Sequence, residues 1–342
     1  MIAQDERPFL DAILAAPDDD TPRLVFADWL DERGQNDDAA RAALIRAQCQ
    51  LERLAPGSAA RRALERAAKA ILKEHGERWA QELAGAKICR SWTFRRGFLD
   101  GVSMSATTFA QKAERLFEIA PTVRTATFPD ASNEVTRLAR CRFLARLASV
   151  DIRDMCSCGY CRIENDLRAL FGSKHTQNLT ALNIAGDRMD AAGAKSLAAS
   201  AALARLTVLD VSDNPLGATG VLALAKSKHL GSLKSLHLAR TELGSAGAEA
   251  LAKVKNLPAL EHLSLCGNAL NADAVRALLA APVFAQLKSL DLSQNPLRAP
   301  GAKLLAAVPA GAKLEHLDVR KCQIPEGAIR TLKKRFGKGV KL

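Results

Sequence analysis

Leu206-Thr207-Val208-Leu209-Asp210-Val211-Ser212-Asp213-Asn214 is one of six segments built to a single plan. The segments open at Leu179, Leu206, Leu233, Leu260, Leu287 and Leu314, and every interval is 27 residues. Each places apolar residues at its first, fourth and sixth positions. The ninth position is Asp187, Asn214, Thr241, Asn268, Asn295 and Cys322 in turn. Apolar residues two apart describe a short strand with one buried face. Turn residues follow, then an Ala/Leu-rich helical run such as Ala248-Glu249-Ala250-Leu251-Ala252-Lys253-Val254. Neither element can bury its apolar side alone, so an unbroken period of this length predicts stacked units sharing one core, the α/β architecture of a solenoid. The ninth residue has a separate task. A tight turn leaves backbone groups facing inward, and a carboxamide can both donate to and accept from them; Thr241 and Cys322 can do so only in part.

The pattern Leu-x-x-Leu-x-Leu-x-x-Asn, repeated in register, resembles the leucine-rich repeats, specifically the strand–helix units of the ribonuclease-inhibitor type. That resemblance implies a parallel sheet inside, helices outside, and a concave surface used for binding. Upstream the pattern continues in looser form. Leu99-Asp100-Gly101-Val102-Ser103-Met104, Val123-Arg124-Thr125-Ala126-Thr127-Phe128 and Leu147-Ala148-Ser149-Val150-Asp151-Ile152 fit the first, fourth and sixth positions. Their spacings are 24, 24 and then 32 residues, and none has Asn at the ninth place. Nine strands are therefore expected, with a helix over Phe109–Phe117 between two of them.

Residues 1–96 lack the repeat and read as an all-α N-terminal domain. Helical spacing links Phe9, Leu10, Ile13 and Leu14, then Leu24, Val25, Trp29 and Leu30, and recurs over Leu44–Leu54 and Leu64–Leu72. Thr21-Pro22 marks a helix start, Gly34 a stop, and Pro56-Gly57 a break. Phe9-Leu10-Asp11-Ala12-Ile13-Leu14, Leu24–Gly34 and Arg46-Ala47-Gln48 resemble the bacterial repeat-companion domain, which accompanies repeat arrays and brings no catalytic residues to transfer. The expected organisation is thus a helical domain over 1–96, divergent repeats over 97–178 and regular repeats over 179–342, closed by a capping helix at Ile324–Phe336.

Net charge is +12, unevenly spread. Residues 1–40 carry 3 basic and 11 acidic side chains, whereas residues 41–98 carry 13 and 5, and residues 179–342 carry 22 and 12. Opposite blocks in the first hundred residues predict acidic helices packed on basic ones. Arg330, Lys333, Lys334, Arg335, Lys338 and Lys341 form the densest basic group, suited both to a helix C-terminus and to an anionic partner. Nucleic acid is a lesser candidate resting on charge alone, since 4% aromatic content and no stacking motif argue against single-strand recognition. The opening residues 1–8 hold no sustained apolar stretch and nothing approaches the ~20 apolar residues of a spanning helix, so a cytoplasmic protein without membrane insertion is expected, with its cysteines as thiols.

Two groups invite chemistry. Cys156, Cys158 and Cys161 fall in the stretched 32-residue interval and could ligate zinc with Cys141 or His175. Only Cys158 and Cys161 have the usual spacing, so a loop of small thiols is the reading adopted, with no metal or cofactor assigned. On the open sheet face, third, fifth and seventh positions bring together Asp210 and His237, then Asp291 and Asp318, with His262 and His316 close by. Ser, His and Asp on one surface suggest a hydrolase, but no nucleophile elbow or oxyanion hole accompanies them. Asp18-Asp19-Asp20 is read as helix capping, and Trp29, Trp79 and Trp92 as helix-packing residues.

The function expected is a non-enzymatic protein-binding scaffold or adaptor, with Asp210, His237, His262, Asp291, His316, Asp318 and Arg320 contacting a protein partner. Mixed Asp and His on that face predict binding that changes between pH about 5 and 7. The alternatives are regulation of a GTPase or a nuclease, which the ribonuclease-inhibitor resemblance implies, and binding to an anionic surface through the basic helices.

Overall fold

The computed structural model describes residues 4–35, 37–55, 57–129, 131, 134–152, 164–309 and 312–342. The chain divides into two compact units, Met1–Thr127 and Phe128–Leu342. The division falls inside the stretch expected to hold divergent repeats rather than at residue 96.

The first unit opens with five helices: α1 (Arg7–Ala15), α2 (Thr21–Arg33), α3 (Asp38–Arg53), α4 (Ala59–Trp79) and α5 (Gln81–Ala86). Gly34, at φ +63°, ends α2 by donating its N–H to the Leu30 carbonyl, and the Ser58 hydroxyl starts α4 by accepting from Arg61 N–H. Their core joins Ile13, Phe26, Ala27, Leu30, Ala42, Ile45, Cys49 and Phe98, flanked by Phe9, Leu24 and Trp29. The unit is not wholly helical, however. Residues expected in the helical domain form β1 (Ser91–Arg95), antiparallel to β2 (Phe98–Ser103). Ser91-Trp92-Thr93-Phe94-Arg95 is rich in strand formers. Arg96 and Gly97 adopt φ of +51° and +83°, as a two-residue hairpin turn requires. Trp92 accordingly lies on a strand, not a helix. After α6 (Ala106–Ile119) comes β3 (Thr125–Phe128), parallel to β2.

The acidic start of the chain is paired with bases, as its charge blocks predict. Arg46 on α3 bridges Asp28 and Asp31, each at 2.7 Å. Arg78 meets Asp37, Arg53 and Arg96 meet Asp20 at 2.9 and 3.2 Å, and Arg124 meets Asp18 at 2.7 Å. Asp19 accepts from Thr21 N–H at the start of α2. The three acids thus hold the turn before α2. Exposed pairs contribute little; Arg96–Asp20 and Arg33–Asp38 are both largely buried, and the second has two-point geometry. Arg33 places two nitrogens 2.7 Å from the two oxygens of Asp38, which also accepts from Gln35 N–H. The Arg33 guanidinium holds the Asp38 carboxyl below the usual carboxylate range. A carboxyl with a lowered folded-state pKa contributes stability that is complete above its unfolded pKa of about 4 and is lost as pH falls through the folded value. Asp38→Asn is expected to cost about 1–3 kcal/mol at neutral pH. Urea titrations at stepwise lower pH should show the gap between mutant and parent closing only below about pH 4.

In the second unit, α7 (Val135–Arg140), β4 (Ser149–Ile152) and α8 (Glu164–Phe171) precede the regular array. The array continues β5 (Ala181–Asn183), α9 (Ala191–Ala198), β6 (Val208–Asp210), α10 (Gly217–Ala225), β7 (Ser235–His237), α11 (Gly244–Leu251) and β8 (His262–Ser264). It ends with α12 (Ala272–Leu279), β9 (Ser289–Asp291), α13 (Arg298–Ala306), β10 (His316–Asp318), α14 (Glu326–Phe336) and a last short strand, β11 (Val340–Lys341). All nine strands expected from the pattern are present, and β1 and β11 are added to them. From β5 to β10 each residue pairs with the one 27 positions on, in parallel. The first, fourth and sixth positions are buried in all six units, and each such Leu contributes about 1.5–3 kcal/mol.

Two further regularities hold the array together. The helices approach closely through small residues: Gly193, Gly220, Gly247 and Gly301 recur at one position. A Cβ on Gly247 would lie 2.9 Å from that of Ala218 in the preceding unit. The other is the buried ninth residue. Asn295 Oδ1 accepts from Asn268 N–H and Leu270 N–H of the unit before, while its Nδ2 donates to the carbonyls of Leu265, Leu292 and Ser293. Asn268 repeats this with Thr241 N–H, Leu243 N–H and the Leu238 carbonyl, and Asn214 with Met189 N–H and the Ile184 carbonyl. Where the next ninth residue is Thr241 or Cys322, the N–H of Leu216 or Leu297 turns back instead to the carbonyl two residues earlier, at 2.7 Å. Thr241 shares its hydroxyl between Leu238 O and Asn268 Oδ1, and Cys322 spends its thiol on Leu292 O. Thr241→Asn should therefore supply the missing acceptor and raise stability by about 0.5–1.5 kcal/mol, read as a higher urea midpoint at unchanged m-value.

Candidate functional site: the exposed sheet face of the second unit

The side chains between the buried positions of β5–β10 form two rows on the open face. The third-position row is Ala181, Val208, Ser235, His262, Ser289 and His316; the fifth is Asn183, Asp210, His237, Ser264, Asp291 and Asp318. Strand register makes Asp210 and His237 direct neighbours, and likewise Asp291 and Asp318. His262 and His316 flank Ser289 from either side. The expected juxtapositions are all present.

Their chemistry is not all free for a partner, and here the structure adds what the pattern did not show. Asp210 Oδ1 accepts from Ser212 N–H at 2.9 Å, Asp291 Oδ1 from Ser293 N–H at 2.9 Å, and Asp318 Oδ1 from Arg320 N–H at 3.2 Å. Asn183 does the same for Ala185. A short acceptor at this position fastens the backbone as it leaves the strand, a local turn that Asp and Asn favour. The signal was available in the sequence: four of six fifth positions are Asp or Asn. The Ser264 hydroxyl donates to the second oxygen of Asp291 at 2.9 Å. Arg320 folds onto Asp318, with Nη2 at 2.6 Å from Oδ2. Burial pulls the Asp318 carboxyl upward, but the Arg320 side chain and N–H outweigh it, so the net displacement is downward.

His237 Nε2 lies 2.9 Å from Ser235 Oγ on its own strand, while Asp210 is turned to Ser212. The carboxylate does not orient the imidazole, so the Ser–His–Asp relay needed to activate a nucleophile is not assembled. What projects from the face is His262, His316 and Arg320, all exposed, and Val208, an aliphatic side chain 38% exposed.

The second positions carry a row that sequence reasoning passed over. Lys234, Glu261, Lys288 and Glu315 alternate in sign on successive strands, and Lys288 Nζ lies 3.0 Å from Glu261 Oε2. The Lys288 ammonium holds the Glu261 carboxyl below its usual range. Below this row, Arg240 grips Asp213 of the preceding unit with two nitrogens, one at 2.7 Å. These pairs tie strand to strand.

Cys156, Cys158 and Cys161 lie outside the described residues. Among the described residues, no three of His, Cys, Asp and Glu converge as a metal site would require, and Cys49, Cys89, Cys141, Cys266 and Cys322 are thiols. No described helix is long and apolar enough to cross a membrane.

Residues 205–225, 229–252 and 286–306 match a family model described as leucine-rich repeat. The second unit carries leucine-rich repeats. The matched stretches coincide with units whose strands are β6, β7 and β9, and the remaining repeats share their register. No curated protein matches the chain. Among solved structures, the yeast Rad7–Elc1 complex is similar at 12% identity over 92% of this chain and 91% of the other, with a TM-score of 0.38. A Bacteroides fragilis protein is similar at 14% identity over 83% and 84%, TM-score 0.42. An internalin from Listeria monocytogenes is similar at 16% identity over 64% and 67%, TM-score 0.35.

Proposed function

We propose that this protein is a non-enzymatic scaffold that binds another protein on the exposed sheet face of its repeats. The observation that carries the reading is the state of that face. Its acids are already fixed by hydrogen bonds to the sheet and turns, so the surface is rigid before any partner arrives and loses little conformational freedom on binding. Helices are about 10 Å wide whereas strands are spaced by about 4.8 Å. A sheet lined with helices on one side therefore curves with its strands on the inner face, the concave geometry that repeat arrays use for binding.

Within the residues proposed for contact, the structure favours a division of labour. His262, His316 and Arg320, with Val208, touch the partner directly, while Asp210, His237, Asp291 and Asp318 hold the surface in shape. Capture from a bacterial lysate, followed by affinity measurement with the recovered protein, tests this. His262→Ala with His316→Ala should weaken binding about tenfold or more while leaving the unfolding midpoint unchanged. Asp291→Ala should lower the midpoint as well. Binding that both variants leave intact would exclude the face as the site.

A second reading rests on α14 and its tail, where Arg330, Lys333, Lys334 and Lys338 are exposed while Arg335 is committed to the Val308 carbonyl. An anionic partner held there would dissociate steeply with added salt. The narrower role of GTPase or nuclease regulator rests on the ribonuclease-inhibitor resemblance, and direct assays of both activities in its presence test it.

A further inference from the structure

The first unit holds a half-open cavity of about 410 Å³ that the repeat surface does not involve. Its walls are mixed, with Leu10, Trp79, Phe98 and Ile119 on the apolar side and a ring of charged side chains beside them. The size is that of a small-molecule site. At its wall stands Arg41 of α3. The guanidinium carbon lies 4.9 Å from the ring centre of Trp79, 5.2 Å from that of Phe98 and 5.8 Å from that of Phe94. Rings of this kind stabilise a cation from its faces, but they accept nothing from its N–H groups. Arg41 Nε is buried without a hydrogen-bond partner, and no carboxylate among the described residues forms an ion pair with this side chain.

Its neighbours in the cavity wall differ in just this respect. Arg33 is held by Asp38 and Glu6, and Arg78 by Asp37. Burial lowers the Arg41 guanidinium to about 10, which still leaves it charged at neutral pH. The residue is half-buried, and a charged group with a buried, unused Nε gains from an acceptor brought to its guanidinium, whose geometry matches a carboxylate in a two-point contact. Glu6, Asp37, Asp38 and Glu82 also line the cavity, so a singly charged carboxylate meets about half the repulsion that a doubly charged phosphate would.

We propose that this cavity binds a small carboxylic acid with an apolar body, its carboxylate on Arg41 and its hydrocarbon against Leu10, Trp79 and Ile119. The site belongs to the helical first unit and is independent of the protein-binding surface proposed for the repeats.

The probe is 4-phenylbutanoate, titrated into the full chain by calorimetry and by tryptophan fluorescence, beside its uncharged amide. The acid should bind about tenfold or more tighter than the amide, the effect of one charged hydrogen-bonded contact. Arg41→Met keeps the length and apolar stem of the side chain, and a fold check by circular dichroism accompanies it. The variant should bind the two probes equally. Ala120→Leu, which adds volume at a residue lining the cavity while leaving Arg41 in place, should weaken both probes together. Equal affinity of acid and amide for the parent protein, no saturable binding of either, or an acid preference surviving Arg41→Met would each overturn the proposal. Loss of partner capture by the repeat surface would leave it standing.

Discussion

Asn295→Ala is expected to lower the unfolding free energy by about 3–5 kcal/mol, several times the effect of an ordinary surface truncation. One carboxamide makes five hydrogen bonds here, two accepted and three donated, all at a position 1% exposed. Truncation strands two backbone N–H groups of the preceding repeat and removes the donor shared by three carbonyls. Water cannot enter to replace it without opening the turn. Asn256, exposed and bonded once to the Lys226 carbonyl, is the control: Asn256→Ala should cost no more than about 1 kcal/mol. Urea unfolding followed by far-ultraviolet circular dichroism checks both. Similar midpoints for the two variants would show that the ladder contributes little.

Gly97→Ala should be comparably severe in the first unit, at about 2–5 kcal/mol. Gly97 sits at φ +83° in the hairpin turn, and its backbone lies directly on α3. An added Cβ would fall 2.1 Å from Ile45 Cγ1 and 2.9 Å from the Ile45 Cα. A side chain can rotate away from such a contact, but a helical Cα cannot. The Gly97 N–H also donates to Gln48 Oε1 at 2.7 Å, so moving the turn breaks the bond that docks it. Gly57 separates backbone strain from the clash. It too has positive φ, +74°, but an added Cβ there meets nothing within 4 Å, and Gly57→Ala should cost only about 1–2 kcal/mol. Equal destabilisation at both positions would place the whole effect in the backbone and none in the packing.

The strands were legible because their period is exact in residue number and their buried positions are filled by Leu, Ile, Val, Ala and Phe in a two-residue rhythm. Even the degraded segments at Leu99, Val123 and Leu147 kept that rhythm and formed β2, β3 and β4. The hairpin strand β1 escaped because it belongs to no repeat: Trp92, Thr93 and Phe94 pair backwards through a local turn. On the exposed sheet face, neighbours were legible and hydrogen bonds were not. Register alone puts Asp210 beside His237, but whether the carboxylate turns to the imidazole or to Ser212 N–H depends on the backbone leaving the strand. Arg41 was beyond reach for another reason. Its isolation among Trp79, Phe94 and Phe98 depends on four segments meeting in space, and nothing in its local sequence distinguishes it from Arg33 or Arg46, which have acids to hold them.

The two interruptions in the asparagine ladder have a mechanical meaning. Between Asn214 and Thr241, and again between Asn295 and Cys322, adjacent turns lack the side-chain acceptor that joins the others. Under tension along the array, or during partial denaturation, these are the seams where it should tear. The last repeat with α14 should fray first, and the block bounded by Thr241 and Asn295 should part as one piece. Hydrogen exchange would then show steps of protection along the chain rather than a smooth gradient.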